Sequence, residues 1–174
     1  MMNPIEISSN RHIHRQRGVS QAVLNRATGQ ADRQMLELVN ELVDALGSLP
    51  EGGSDRARER VIRTRIETTV RRMNELQQQT LEQLEQSGIR PRPGQVLFPQ
   101  AQQRMNQVIR QTTSQRSPIL ADLERTSIEI REAGHDRDML RVAIARQRDI
   151  RQRLSFADET ILIFQEMREL CVVR

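Results

Sequence analysis

The chain has 174 residues and a formal net charge of +4, with no Trp, no Tyr, three Phe and one Cys. That length suits one domain with a sizeable core, and a lone thiol excludes an internal disulfide or a thiolate metal cluster. The chain is rich in Gln, Glu, Arg, Leu and Ala, all good helix formers, so the expected fold is all-α.

All 27 basic residues are Arg; Lys, ordinarily among the commonest residues, is absent. Codon usage in a GC-rich genome is one cause. The other is selection against modification of Lys, the residue that carries ubiquitin. Residues 1–50 carry 5 Arg and 5 acids, 51–118 carry 12 and 7, and 119–174 carry 10 and 11, so the positive excess is local to the middle. Interspersed signs describe solvated helix faces. With no aromatic platforms, nucleic acid is not the expected partner. The longest strongly apolar run is 161–164, too short for a membrane span. The N-terminus lacks the apolar centre of a secretory signal peptide. The expected location is the cytoplasm of the producing cell, with any exit by a route other than general secretion.

Residues 1–18 show no helical period and read as a flexible polar N-terminal arm, leaving 19–174 as a single helical-bundle domain. His12 and His14 are two apart but lack a third ligand nearby, and read as surface histidines. The Ser/Asn-containing start with Pro4 and Ile5 resembles the unstructured export signals of bacterial type III secretion substrates, although Glu6 departs from their usual lack of early acids.

From 19 to 47, Leu24, Ala27, Ala31, Met35, Leu38, Leu42 and Ala45 form a helical stripe, widened by Val39, Val43 and Leu46. Gly29 marks a kink or a late start near Thr28, and Gly47 and Pro50 end the element. Ser54 is the expected N-cap of a second long helix, to about 87 with Gly88 as its C-cap. Its seam is Ile62, Ile66, Thr69, Met73, Leu76, Thr80 and Leu84, and Arg63–Glu67–Arg71 offers charge pairs at i,i+4. Arg58, Arg65 and Arg72 recur every seven residues along one flank. They are candidate partner-binding residues for an anionic surface, or charged flanks of a coiled-coil-like seam.

Pro91, Pro93 and Gly94 force an extended, turning path through 89–99. Val96, Leu97 and Phe98 form an apolar patch there, tucked against the bundle or offered to a partner. A weaker helix is expected over 99–116, and Ser117–Pro118 reads as a stop and restart leading to a short helix ending at Gly134. Asp136 then caps a long helix to about 172. Its stripe is Leu140, Ala143, Gln147, Ile150, Leu154, Ala157, Ile161, Phe164 and Cys171, with Ser155 and Asp158 as a candidate internal capping box.

These elements imply an antiparallel helical bundle of four to five helices, two of them long. No glycine-rich phosphate loop or Glu-x-x-His di-metal pair is present in the sequence, Cys171 has no His close in sequence, and every candidate Ser/His/Asp group has a simpler structural explanation. The expectation is a non-enzymatic protein without cofactors that binds another protein, from a host or a secretion system, through helix faces. Within that class it reads as a bacterial effector or secretion-associated factor. The alternatives are a self-associating coiled-coil assembly subunit and an Arg-rich adaptor for nucleic acid or anionic lipid.

Overall fold

A computed structural model describes residues 18–50 and 55–174, so the export-signal and histidine readings of the arm lie outside the described residues. The described residues are mostly helical, with no strand longer than one isolated bridge, in four α-helices: α1 (Gln21–Gly47), α2 (Arg56–Gln86), α3 (Pro99–Ala133) and α4 (Arg137–Arg168), followed by a 3-10 turn (Glu169–Cys171).

Ser20 caps α1, its hydroxyl accepting from the Val23 N–H, and the helix runs straight through Gly29 without the expected late start. Asp55 caps α2, its carboxylate accepting from the Arg58 N–H at 3.0 Å. At the other end, Ile89 N–H reaches Leu84 C=O (2.8 Å) and Gly88 N–H reaches Glu85 C=O (3.0 Å). These two bonds close a Schellman motif around Gly88, whose φ of 72 is a left-handed value that glycine adopts freely.

The expected break at Ser117–Pro118 is absent: α3 is one helix of 35 residues with Pro118 inside it. Proline there removes one backbone bond and costs about 3 kcal/mol in an average helix interior. What carries the helix through is a heptad that keeps its phase across the site. Met105, Thr112, Ile119, Thr126 and Ala133 recur every seven residues and are all wholly or partly buried, while Pro118 is exposed. Likewise α4 is continuous through Ser155, and Asp158 serves not as a cap but as the ion-pair partner of Arg116 (2.7 Å).

Side-chain bonds give the relative directions. Asn106–Arg168, Arg116–Asp158, Ser127–Gln147 and Glu129–Arg146 pair α3 with α4 in opposite senses. Asp32–Ala101 and Asn40–Arg104 pair α1 with α3 in the same sense. Arg63–Glu159 and Gln77–Leu170 do the same for α2 and the C-terminal part of the chain. Arg63 also bonds Glu59, so its i,i+4 partner is Glu59 rather than the expected Glu67.

The main core is mostly aliphatic around Phe98 and Phe164, with Leu24, Met35, Val39, Leu42, Met73, Leu97 and Met105 among its other fully buried members. It draws on α3 no further than Ile109 and on α4 no earlier than Phe156. The remaining buried residues of these helices, Thr126, Ala133, Ala143, Ile150 and Ala157, lie outside that core. The distal halves of α3 and α4 thus form a two-helix hairpin beyond it.

Candidate functional site

The loop between α2 and α3 is the first of the sequence candidates, and the chain clasps it on three sides. Gly94 N–H donates to Val173 C=O, Val173 N–H to Gln95 C=O and Leu97 N–H to Cys171 C=O, making an isolated antiparallel bridge at Val96 and Val172. The Gln21 side chain grips the Val96 backbone from both sides, donating to its C=O (2.7 Å) and accepting from its N–H (3.1 Å). Leu97 and Phe98 have no exposed surface and Val96 is half-buried. Of the two readings of this patch, the geometry matches the tucked one: Leu97 and Phe98 are spent inside the chain.

Arg58, Arg65 and Arg72 are all exposed on α2, and none makes an ion pair among the described residues. Seven residues of helix advance about 10 Å, so the three guanidinium groups are spaced over roughly 20 Å. No hydrogen bond joins them to Val96, Leu97 or Phe98, so the two sets of candidates do not form one site. Cys171 is fully buried, and its thiol is pushed up to about 12 by burial and, secondarily, by the charge of Asp32. That holds the group as the unreactive thiol.

A further surface hollow lies elsewhere among the described residues. Where α1 ends, Val43, Leu46 and Leu49 meet Val108 and Ile119 of α3 and Phe156 and Phe164 of α4 around a hollow of roughly 460 Å³. Arg153, on its rim, also lines a second hollow of roughly 300 Å³ with Asp122, Arg125, Glu129, Arg146 and Asp149. Glu129 and Arg146 in turn line a third, of roughly 390 Å³, whose walls are Ala133, Met139, Val142 and Ala143. The three hollows follow one another along the α3–α4 seam as one groove, bridged between the second and third by the Glu129–Arg146 ion pair at 3.2 Å. It begins at the crotch where α1 leaves α3 and α4, and it runs between those two helices to the hairpin tip. From Thr160 to Met139 it is about 30 Å long at 1.5 Å per residue.

Its two ends carry apolar side chains, and its middle is lined by charged residues with Thr126 and Ile150. Met139 and Val142 stand 59% and 62% exposed, a large apolar surface for residues flanked by charge. Leu120, Ile128 and Ile144 are also exposed on the hairpin, so five of the eight large exposed hydrophobic residues described fall within 120–144. Of these five, Met139 and Val142 line the third hollow, whereas Leu120, Ile128 and Ile144 line none of the three. Sequence reasoning passed over this site. The signal was the run Met139, Leu140, Val142, Ala143 and Ile144, which is apolar on more faces of α4 than one partner helix needs.

Among the described residues no group of three or more His, Cys, Asp or Glu side chains is placed to hold a metal ion. No described helix is long and apolar enough to cross a membrane. Comparison with protein-family models, curated proteins and solved structures returns no match for this chain.

Proposed function

We propose that this chain is an antiparallel helical bundle that acts, without catalysing a reaction, as a protein–protein interaction module. Its working surface is the α3–α4 groove, which packs against helical structure of a partner chain. The observation that supports this is the continuity of the groove with the path of α1. α1 packs along α3 through Asp32–Ala101 and Asn40–Arg104, then stops at Gly47, while the hollow between α3 and α4 continues beyond it. A partner helix laid there would complete the packing that α1 begins, with apolar anchors at i, i+3, i+4 and i+7. A photo-crosslinking residue at Val142 tests it. A covalent adduct from Val142, with none from a crosslinker at the exposed Arg148, is the expected result. Equal or absent labelling at the two positions overturns it.

The setting proposed for this activity is that of a bacterial effector delivered into a host cell, supported by the absence of Lys from the entire chain. Replacing Arg148 by Lys should shorten the protein's lifetime in a eukaryotic cytosol by offering a site for ubiquitin. An unchanged half-life leaves codon usage as the reason.

A further inference from the structure

We infer that the occupant of the groove is the distal hairpin of a second copy of this chain, packed face to face in a twofold dimer. This rests on the groove being the interaction surface, and adds the identity of what fills it. In a twofold interface each contact occurs twice, so the groove must be complementary to itself reversed. Four of the six charged residues that line its middle are: Arg125, Glu129, Arg146 and Asp149.

Along α3, Arg125 and Glu129 are four residues apart with opposite signs, and their midpoint is Ser127. Along α4, Arg146 and Asp149 are three apart with opposite signs, and their midpoint falls beside Gln147. Ser127 and Gln147 are hydrogen-bonded to each other across the hairpin at 3.3 Å, so both midpoints lie at one level. One axis, crossing the two helices at that level, therefore serves both pairs. It sets Arg125 against Glu129 of the other copy and Arg146 against the other copy's Asp149, each twice.

The same axis decides where the apolar residues go. Met139 lies about eight residues on the tip side of it and Phe156 about the same number on the other, or about 13 Å each way. Met139 and Val142 of one copy thus arrive at the Phe156 and Arg153 of the other, at the apolar crotch where α1 ends. The exposed Met139 covers the unfilled hollow of the other copy, with α3 stacked on α3 and α4 on α4.

Sedimentation equilibrium of the full chain reads the association directly, with far-UV circular dichroism confirming that each variant keeps its helix. The wild-type chain should sediment at twice the chain mass at micromolar concentration, and Met139→Asp at the chain mass. Arg146→Asp alone sets acid against acid across the axis, and Asp149→Arg alone sets base against base, so each should lose at least tenfold in affinity. Mixed one to one, the two variants face each other with opposite signs at both positions, and the dimer should return. Asp149 makes no hydrogen bond or ion pair within the described chain, so its variant reads the interface even if Arg146→Asp loosens the hairpin through loss of Glu129. A monomeric wild type, or single variants that dimerise as tightly as wild type, or a mixture that fails to restore the dimer, would overturn the inference. A monomeric wild type whose Val142 position still crosslinks selectively to another protein would leave the interaction reading intact. No selective crosslink at all would remove both.

Discussion

Asp32 of α1 accepts the backbone N–H of Ala101 at 3.1 Å, and its other oxygen accepts that of Gln100 at the same distance. The first turn of α3 is therefore capped from another helix. Its own N-cap residue, Phe98, has no side chain able to accept. The carboxylate is 4% exposed and stands at the positive end of the α3 dipole, which compensates for its burial. Asp32→Ala leaves one buried and one part-buried N–H unpaired and should lower stability by about 1–2 kcal/mol. Urea unfolding followed by circular dichroism measures it, and a loss below about 0.5 kcal/mol would show that water replaces the cap.

Cys171 lies under the same roof. Burial and the Asp32 charge push its thiol to about 12, while the unfolded thiol titrates near about 8.5. Below about pH 8 both states hold the proton and the difference contributes nothing to the pH dependence. Above that the unfolded state releases its proton and the folded state does not, so stability should fall as pH rises from about 9 towards 12. The same burial should make the native thiol react with an aromatic disulfide reagent at least a hundredfold more slowly at pH 8 than in 6 M guanidinium. Equal rates would place the thiol at the surface.

How much of this was legible in the sequence depends on which partner each residue has. The all-helical fold, the end of α1 at Gly47 and the cap at Gly88 follow from local chemistry, which the sequence prints directly. The faces of α1 do not: Thr28 and Asp32 are buried where the apolar stripe placed Ala27 and Ala31. Asp32 faces inward because its partners are in α3, 69 residues away, and Thr28 because its hydroxyl bonds Leu24 C=O within its own helix. In α4 the stripe holds two interleaved heptads with different fates. Ala143, Ile150, Ala157, Phe164 and Cys171 are buried, whereas Leu140, Gln147, Leu154 and Ile161 are only half-covered. Periodicity names both sets as a seam, and only the placement of the other helices separates them. The groove was invisible for the same reason, being defined by where α1 stops relative to α3 and α4.

Gly29 interrupts the α1 stripe without interrupting the helix. A Cβ built there meets nothing within 4 Å, and its φ is not left-handed. Gly29→Ala should therefore stabilise the protein by about 1 kcal/mol, through lower backbone entropy in the unfolded chain. The midpoint of thermal unfolding should rise by a few degrees. A decrease would mean that α1 needs the bend glycine permits.

The exposed arginines of α2 separate binding from stability. Because Arg58, Arg65 and Arg72 make no ion pair among the described residues, changing all three to Gln should alter stability by less than about 1 kcal/mol. Any salt-sensitive affinity for an anionic polymer at low ionic strength should then disappear in a protein that still folds. Unchanged affinity would assign such binding to other residues. No affinity in the wild type would leave the three as solvated flanks of the α2 seam.

Pro118 is exposed near the middle of α3, between the part that packs on α1 and the part that forms the hairpin. As an interior proline it withholds the N–H that Ser114 C=O would accept, and its ring crowds that carbonyl. If the heptad seam alone holds α3 together there, Pro118→Ala should stabilise the chain by about 1–3 kcal/mol with helix content unchanged or slightly raised. The informative comparison is with self-association measured on the same sample. Greater stability with dimerisation intact would show that the proline is only tolerated. Greater stability with weakened dimerisation would show that a bend at Pro118 aims the hairpin, since the charge register at Arg125 and Arg146 depends on how that hairpin leaves the core.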